Sequence, residues 1–314
     1  MPQAVATDNN EHMKLLITPR DGVAPVIAAI KSARKSIEMF IFRFDLEEVE
    51  RALHAAVGRG VQVHVLIAHT NRGGAGRLRK LEQRLLGAGA TVDRTGDEFV
   101  RYHGKFMIVD RAVLMVLGFN YTALDIGKSR SFGVVTKERK HIQEAVALFE
   151  ADCARRPYVP AGALLISPVN ARAQLSAFIG KAKTQLLIYD PKVSDPNIVR
   201  LLKERAKAGV EVRIIGKVTS RGHDLPHQKY PGHRLHVRAI FRDGRDAFVG
   251  SQSLRRLELD KRREVGVFVG RAAVVKELIA TFEADWALTE LGRDAESTQQ
   301  RLSRNEHPPA APGA

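Results

Sequence analysis

The chain has 314 residues, a single cysteine (Cys153), and 50 Lys and Arg against 35 Asp and Glu, a formal charge of +15. That length buries a sizeable core and suits two domains or one domain built from two halves, whereas one cysteine excludes an internal disulfide framework and a cysteine-based zinc site. The cationic excess favours polyanionic partners, either nucleic acid or an anionic lipid surface.

In chain order, residues 1–12 read as a flexible tail without the early positive and apolar segments of a secretory signal. No apolar run approaches the roughly 18–20 residues of a membrane-spanning helix. A soluble, cytoplasmic, monomeric protein with peripheral contact to a membrane surface is therefore expected. Lys14 to Thr18 is a strand candidate, Val23 to Ala33 a helix and Ser36 to Phe42 a strand. A helix at Leu46 to Arg59, a strand at Val61 to Ala68, a Gly-rich loop from Asn71 to Gly76 and a helix from Arg77 to Leu86 follow. That loop suits a flexible connection better than a phosphate cradle, since it has no Walker lysine. After a Pro- and Gly-bearing connector at 156–162, the order repeats: helix Ala171 to Ala182, strand Gln185 to Tyr189, helix Pro196 to Ala208. Residues 13–155 and 163–292 are the two expected halves, and 293–314 a disordered tail. Alternating strands and helices predict an α/β fold.

The halves also echo each other in sequence. Gly60-Val61-Gln62-Val63 returns as Gly209-Val210-Glu211-Val212, 149 residues on, and Phe149-Glu150-Ala151-Asp152 as Phe282-Glu283-Ala284-Asp285, 133 residues on. The second copy is thus shorter in its middle, where the first carries its Gly-rich loop and third helix. Such a period fits a duplicated domain with pseudo-twofold symmetry.

The 133-residue offset superposes His103-Gly104-Lys105, followed by Asp110, on His236-Val237-Arg238, followed by Asp243. On a strand, residues two apart share a face, so each half would present one imidazole beside one cation. Such a grouping suits a phosphodiester: cations neutralise the phosphate, one imidazole attacks phosphorus, and the other protonates the leaving oxygen. The pattern HxKxxxxD, with an Asn ten residues after the Asp and a Glu eleven beyond that, resembles the phospholipase D superfamily. That resemblance implies a duplicated α-β-α sandwich in which two motifs form one metal-independent, cofactor-free site with a phosphohistidine intermediate. The first copy keeps His103, Lys105, Asp110 and Asn120, with Ser131 at the Glu position; the second keeps His236, Asp243, Ser251 and Glu264, with Arg238 for Lys and Ser253 for Asn. The losses are complementary, which implies one asymmetric site. Glu264 would orient His103 as nucleophile, and His236, with Ser131 a weaker partner, would be general acid and then base. Lys105, Asn120, Arg238 and Ser253 would hold phosphate, and Asp110 and Asp243 would buttress their segments. The superfamily's two-motif chains favour a phospholipid substrate, for hydrolysis or phosphatidyl transfer. A nuclease of the same superfamily is the alternative, and a non-catalytic polyanion-binding module the third reading.

Other features carry less. His227-Gln228-Lys229 also reads HxK but lacks the Asp, and His223, His227, His233 and His236 lack a metal-binding spacing. Arg255, Arg256, Lys261, Arg262 and Arg263 read equally as a substrate-facing rim or a solvated face.

Overall fold

A computed structural model describes residues 12–69, 75–232 and 234–294. The first half runs β1 (Met13–Thr18), α1 (Ala24–Ser32), β2 (Ser36–Ile41), α2 (Glu47–Gly58), β3 (Gln62–Ile67), α3 (Ala75–Gly87), β4 (Thr91–Arg94), β5 (Arg101–Tyr102), β6 (Phe106–Val109), β7 (Val113–Leu117), α4 (Ala123–Lys128), β8 (Ser131–Thr136) and α5 (Arg139–Cys153). The second runs β9 (Leu164–Ser167), α6 (Ala171–Gly180), β10 (Gln185–Val193), α7 (Pro196–Lys207), β11 (Glu211–Val218), β12 (His227–Gln228), β13 (Ala239–Arg242), β14 (Asp246–Gly250), α8 (Arg256–Asp260), β15 (Arg262–Val269) and α9 (Ala272–Ala287).

Local chemistry explains these elements. In α2, Val49, Ala52, Leu53 and Ala56 fall on one buried stripe, and Glu47, Glu48 and Glu50 complement the positive helix start. Helix α7 opens with Pro196 after Asp195, whose carboxylate accepts from the Asn197 and Ile198 N–H groups. Strand β2 is buried along nearly its whole length, as a central strand covered on both faces must be.

The two sheets have one topology. The first is ordered β1-β8-β7-β6-β2-β3-β4, and the second β9-β15-β14-β13-β10-β11-β12, with β2-β3-β4 and β10-β11-β12 parallel and the other neighbours antiparallel. Helices α1, α2 and α3 cover the outer face of the first sheet, and α6, α7 and α8 that of the second. Between the sheets lies a shared core to which α5 and α9 contribute Leu148, Phe149, Leu278 and Phe282. The fold is the expected duplicated α-β-α sandwich. A single 3-10 turn at Ser220–Gly222 stands where the first half has α3.

Several boundaries differ from the sequence reading. Helix α3 begins at Ala75 rather than Arg77, because Ala75 and Gly76 join its first turn; residues 70–74 of the expected Gly-rich loop lie outside the described residues. Residues 290–294 are helical, so the chain beyond α9 holds one further turn where a tail was expected from 293; residues 1–11 and 295–314 lie outside the described residues.

Candidate active site

Each histidine stands just ahead of a strand, not within one as the alternation rule implied. His103, Gly104 and Lys105 bridge β5 and β6, and His236, Val237 and Arg238 lead into β13. The backbone of each segment is pinned by the other half. His103 N–H donates to the Arg263 carbonyl at 2.7 Å, and His236 N–H to the Arg130 carbonyl at 3.0 Å. Strand β5 pairs in parallel with the start of β15, and Leu235 bridges Arg130 in the mirrored way. A Cβ on Gly104 would come within 2.9 Å of Val265, so only glycine lets the His103 segment lie this close to β15.

Around this seam the expected residues converge. The His103 ring is buried, its Nδ1 lies 2.8 Å from Glu264 Oε2, and the Glu264 side chain has no solvent exposure. Lys105 Nζ sits 3.1 Å from both ring nitrogens of His103 and donates to the His103 carbonyl at 2.6 Å. Phe42 meets the imidazole edge-on, with centroids 4.6 Å apart. Arg238 Nη1 donates to the His236 carbonyl at 2.8 Å, and its buried Nε has no hydrogen-bond partner among the described residues.

Burial and cations dominate the electrostatics. Burial, then Lys105, Arg238, Arg262 and Arg101, pushes His103 well below the ordinary imidazole value of 6.5. Burial and Arg238 push His236 the same way, with Asp125 opposing them and Lys105 and Arg234 adding to the depression. Lys105 falls to about 7 through burial, against the pull of Glu264. Burial raises the Glu264 carboxyl, countered by Lys105, Ser251, Arg238 and Arg262. Lys105 and Arg238 act on both imidazoles, so one cationic centre serves both halves. It is able to receive an anion, which would restore the charge on Lys105 and the proton on an imidazole.

Other expected residues make different contacts. The Asp110 carboxylate accepts from the backbone N–H groups of Arg34, Lys35 and Ser36, and that of Asp243 from Lys183, Thr184 and Gln185. Ser251 Oγ accepts from the Val265 N–H at 3.1 Å. Ser253, expected to hold phosphate, gives its one hydroxyl proton to buried Asp190 at 2.5 Å, so its donor is engaged. Ser131, expected beside the His236 ring, instead reaches the His236 carbonyl at 3.5 Å. The acid near that ring is one the sequence reading missed: Asp125 Oδ2 lies 3.5 Å from His236 Nδ1 and accepts from Asn120 N and Nδ2 at 2.8 and 2.6 Å. A signal existed, since Asp125 and Glu258 are both acidic at the 133-residue offset. The basic run, read equally as a substrate-facing rim or a solvated face, is mostly taken up in ion pairs: Arg255 and Arg262 pair with Glu258, and Arg263 is buried on Asp152.

Among the described residues, His64, Asp93 and Cys153 form a trio with a donor set suited to a metal. However, His64 Nε2 and Asp93 Oδ2 are 2.7 Å apart, the spacing of a shared proton. Two donors on a tetrahedral zinc, at about 2.0–2.2 Å each, stand more than about 3 Å from each other. His223 and His227 bond to backbone carbonyls and join no cluster; His233 lies outside the described residues.

A duplicated sandwich with one histidine and one cation from each half at a shared seam defines a protein of the phospholipase D superfamily. The chain belongs to the family described as cardiolipin synthase, PLD-like domain, whose model matches residues 26–153 and 175–286. Mitochondrial cardiolipin hydrolase of Homo sapiens is 29% identical over 129 residues, covering 40% of this chain and 48% of that protein. Its Danio rerio counterpart is 34% identical over 128 residues, covering 38% and 53%. The chain spans about half the length of these curated relatives. Among solved structures, phosphatidylserine synthase of Haemophilus influenzae superposes with a TM-score of 0.67 at 13% identity, covering 89% of this chain and 86% of that one. Polyphosphate kinase of Porphyromonas gingivalis superposes with a TM-score of 0.73 at 16% identity, covering 86% and 46%. These last two likenesses are of fold. Among the described residues, no helix is long and apolar enough to cross a membrane.

Proposed function

We propose that this protein is a phosphodiesterase that works through a covalent phosphohistidine on His103, with a phospholipid as substrate. The observation that carries the reading is the buried His103–Glu264 contact at 2.8 Å beside Lys105 and Arg238. Glu264 accepts a hydrogen bond from the His103 Nδ1–H, which holds the proton on Nδ1 and leaves the Nε2 lone pair available. Nε2 attacks phosphorus, a P–N bond forms, and the P–O bond to the leaving alcohol breaks with its electron pair going to oxygen. That oxygen takes a proton from His236. Water, or an acceptor alcohol, then gives its proton to His236 as its oxygen bonds phosphorus, and the P–N pair returns to His103. Lys105 and Arg238 offset the charge that builds on the phosphoryl oxygens, with Asn120 as a further phosphate contact. Arg238 is planar and larger than the family's Lys, which favours two-pronged phosphate contact.

The lipid assignment rests on the family and on relatives named as cardiolipin hydrolases. The charge of +15 favours a second reading, a nuclease that holds the phosphate backbone without regard to sequence. To test both, the protein and His103→Ala are incubated in EDTA with bis(p-nitrophenyl) phosphate, cardiolipin vesicles, and single- and double-stranded DNA. Turnover that survives chelation, falls by at least about a thousandfold in the variant and leaves acid-labile phosphate on His103 supports the mechanism. The natural polymer or lipid consumed decides the substrate. Salt-sensitive binding without turnover by wild type would sink the enzyme reading.

A further inference from the structure

We infer that Asp125 is the carboxylate that positions His236, so that the two histidines are served by acids from different elements of the fold. This deepens the proposed mechanism and rests on it. Glu264, on β15, serves His103; the equivalent place on β8 is Ser131, whose hydroxyl reaches only a backbone carbonyl of His236. The carboxylate that Ser131 lacks is supplied six residues earlier, from the first turn of α4. Thr122 caps that helix by accepting from the Asp125 N–H at 3.2 Å, which sets the turn that buries the Asp125 side chain. Asp125 Oδ1 is then held by Arg234 and Oδ2 by Asn120.

From this anchored position Oδ2 faces His236 Nδ1 at 3.5 Å, and Nδ1 is buried without a hydrogen bond to any of the described residues. That gap is longer than a hydrogen bond. It suits an imidazole that is neutral at rest and is drawn onto the carboxylate when it gains a proton. The charged groups that act most on His236 are Arg238, Asp125, Lys105 and Arg234, and Asp125 is the one anion among those four. In the other half, the residue equivalent to Asp125 is Glu258, which is taken up by Arg255 and Arg262. The duplicated helices thus carry acids that have diverged: one beside a histidine, the other in an arginine cluster. Through Asn120, Asp125 also couples the phosphate contact to the proton-transfer group.

A positioning residue for the general acid has a signature that a merely structural residue lacks. Leaving groups that need a proton suffer more from its loss than those that leave unaided. We would measure kcat/KM for wild type, D125N and D125N/S131E on methyl aryl phosphate diesters with leaving phenols from p-nitrophenol to phenol. The expected result is a steeper dependence on phenol pKa in D125N, with about tenfold loss on the nitrophenyl ester and more than a hundredfold on the phenyl ester. S131E, restoring a carboxylate at the position equivalent to Glu264, is expected to recover part of the phenyl ester rate. An equal loss across the series, as from a displaced Asn120 or a weakened fold, would overturn the role, as would a D125N slope equal to wild type. Should D125N fold poorly, D125E keeps the charge and must keep the wild-type slope. Absence of any turnover or phosphohistidine in wild type is a separate outcome, which overturns the underlying mechanism and this role with it.

Discussion

Burial lowers the proton affinity of His103 and His236 together, and each shift has a consequence for pH. The proposed mechanism needs the nucleophile deprotonated and the acid protonated. With both imidazoles below 6.5 in the free protein, the optimum of kcat/KM, which reports the free enzyme, is expected below pH 6.5. A profile on bis(p-nitrophenyl) phosphate at constant ionic strength checks this, and an optimum above pH 7.5 would contradict it. Lys105 adds a second effect. Its amine titrates at about 7 in the folded protein against 10.5 for the free group. It is cationic below that pH and neutral above, so inorganic sulfate, whose own charge is constant across this range, should bind more weakly as pH rises through about 7. Isothermal titration between pH 6 and 8 reads that loss, and Lys105→Met should abolish the dependence. By linkage the unfolded chain binds the extra proton between about 7 and 10.5, so this group makes the empty protein more stable as pH rises through that window.

The hairpins β6–β7 and β13–β14 show what the motif's aspartates do for their elements. Asp110 and Arg111 in one turn, and Asp243 and Gly244 in the other, take positive φ, the pattern of a type I′ hairpin turn. Asp tolerates that region better than most residues, and its carboxylate closes the loop entering β2 or β10. The hydrogen bonds of both carboxylates go to these loops. Asp243→Ala strips one acceptor from three backbone N–H groups and should cost about 1–2 kcal/mol, read as a lower urea midpoint. Activity per folded molecule should stay near wild type. A large loss of activity at full stability would instead place Asp243 in the chemistry.

Across the whole molecule, the repeated Phe-Glu-Ala-Asp segment has a structural meaning. Asp152 at the end of α5 pairs with Arg263 of β15 at 3.0 Å, and Asp285 near the end of α9 pairs with Arg130 beside β8 at 2.8 Å. Each pair ties the long helix of one half to the strand entrance of the other, next to Glu264 or Ser131. These cross-half pairs hold the seam on which both histidine segments hang. Breaking one strands a charge in the core, so Asp285→Ala should cost about 3–5 kcal/mol, measured by chemical denaturation. The exposed cross-half pair Arg20–Glu277, also at 2.8 Å, is a control: Glu277→Ala should cost under about 1 kcal/mol. Similar costs at both sites would mean that the buried pair contributes little to joining the halves.

Much of this was legible in the sequence because duplication writes each feature twice. The alternation of strands and helices follows from local residue patterns, and the imidazole and cation of each half and the exchange of Glu264 for Ser131 align at the 133-residue offset. Periodicity and turn chemistry are local, and a repeat carries local chemistry faithfully from one copy to the next. What the offset could not supply is the direction of side chains across the seam. Ser253 turning to Asp190, the basic run closing on Glu258 and Asp152, and Asp125 facing His236 depend on where elements from two halves meet. Glu258 apart, which lies three or four residues from Arg255 and Arg262, these partners stand 63 to 111 residues apart in the chain, and only packing selects among them. The lowered proton affinities belong to the same class: they arise from buried charges that become neighbours only when the two sheets close on a common core.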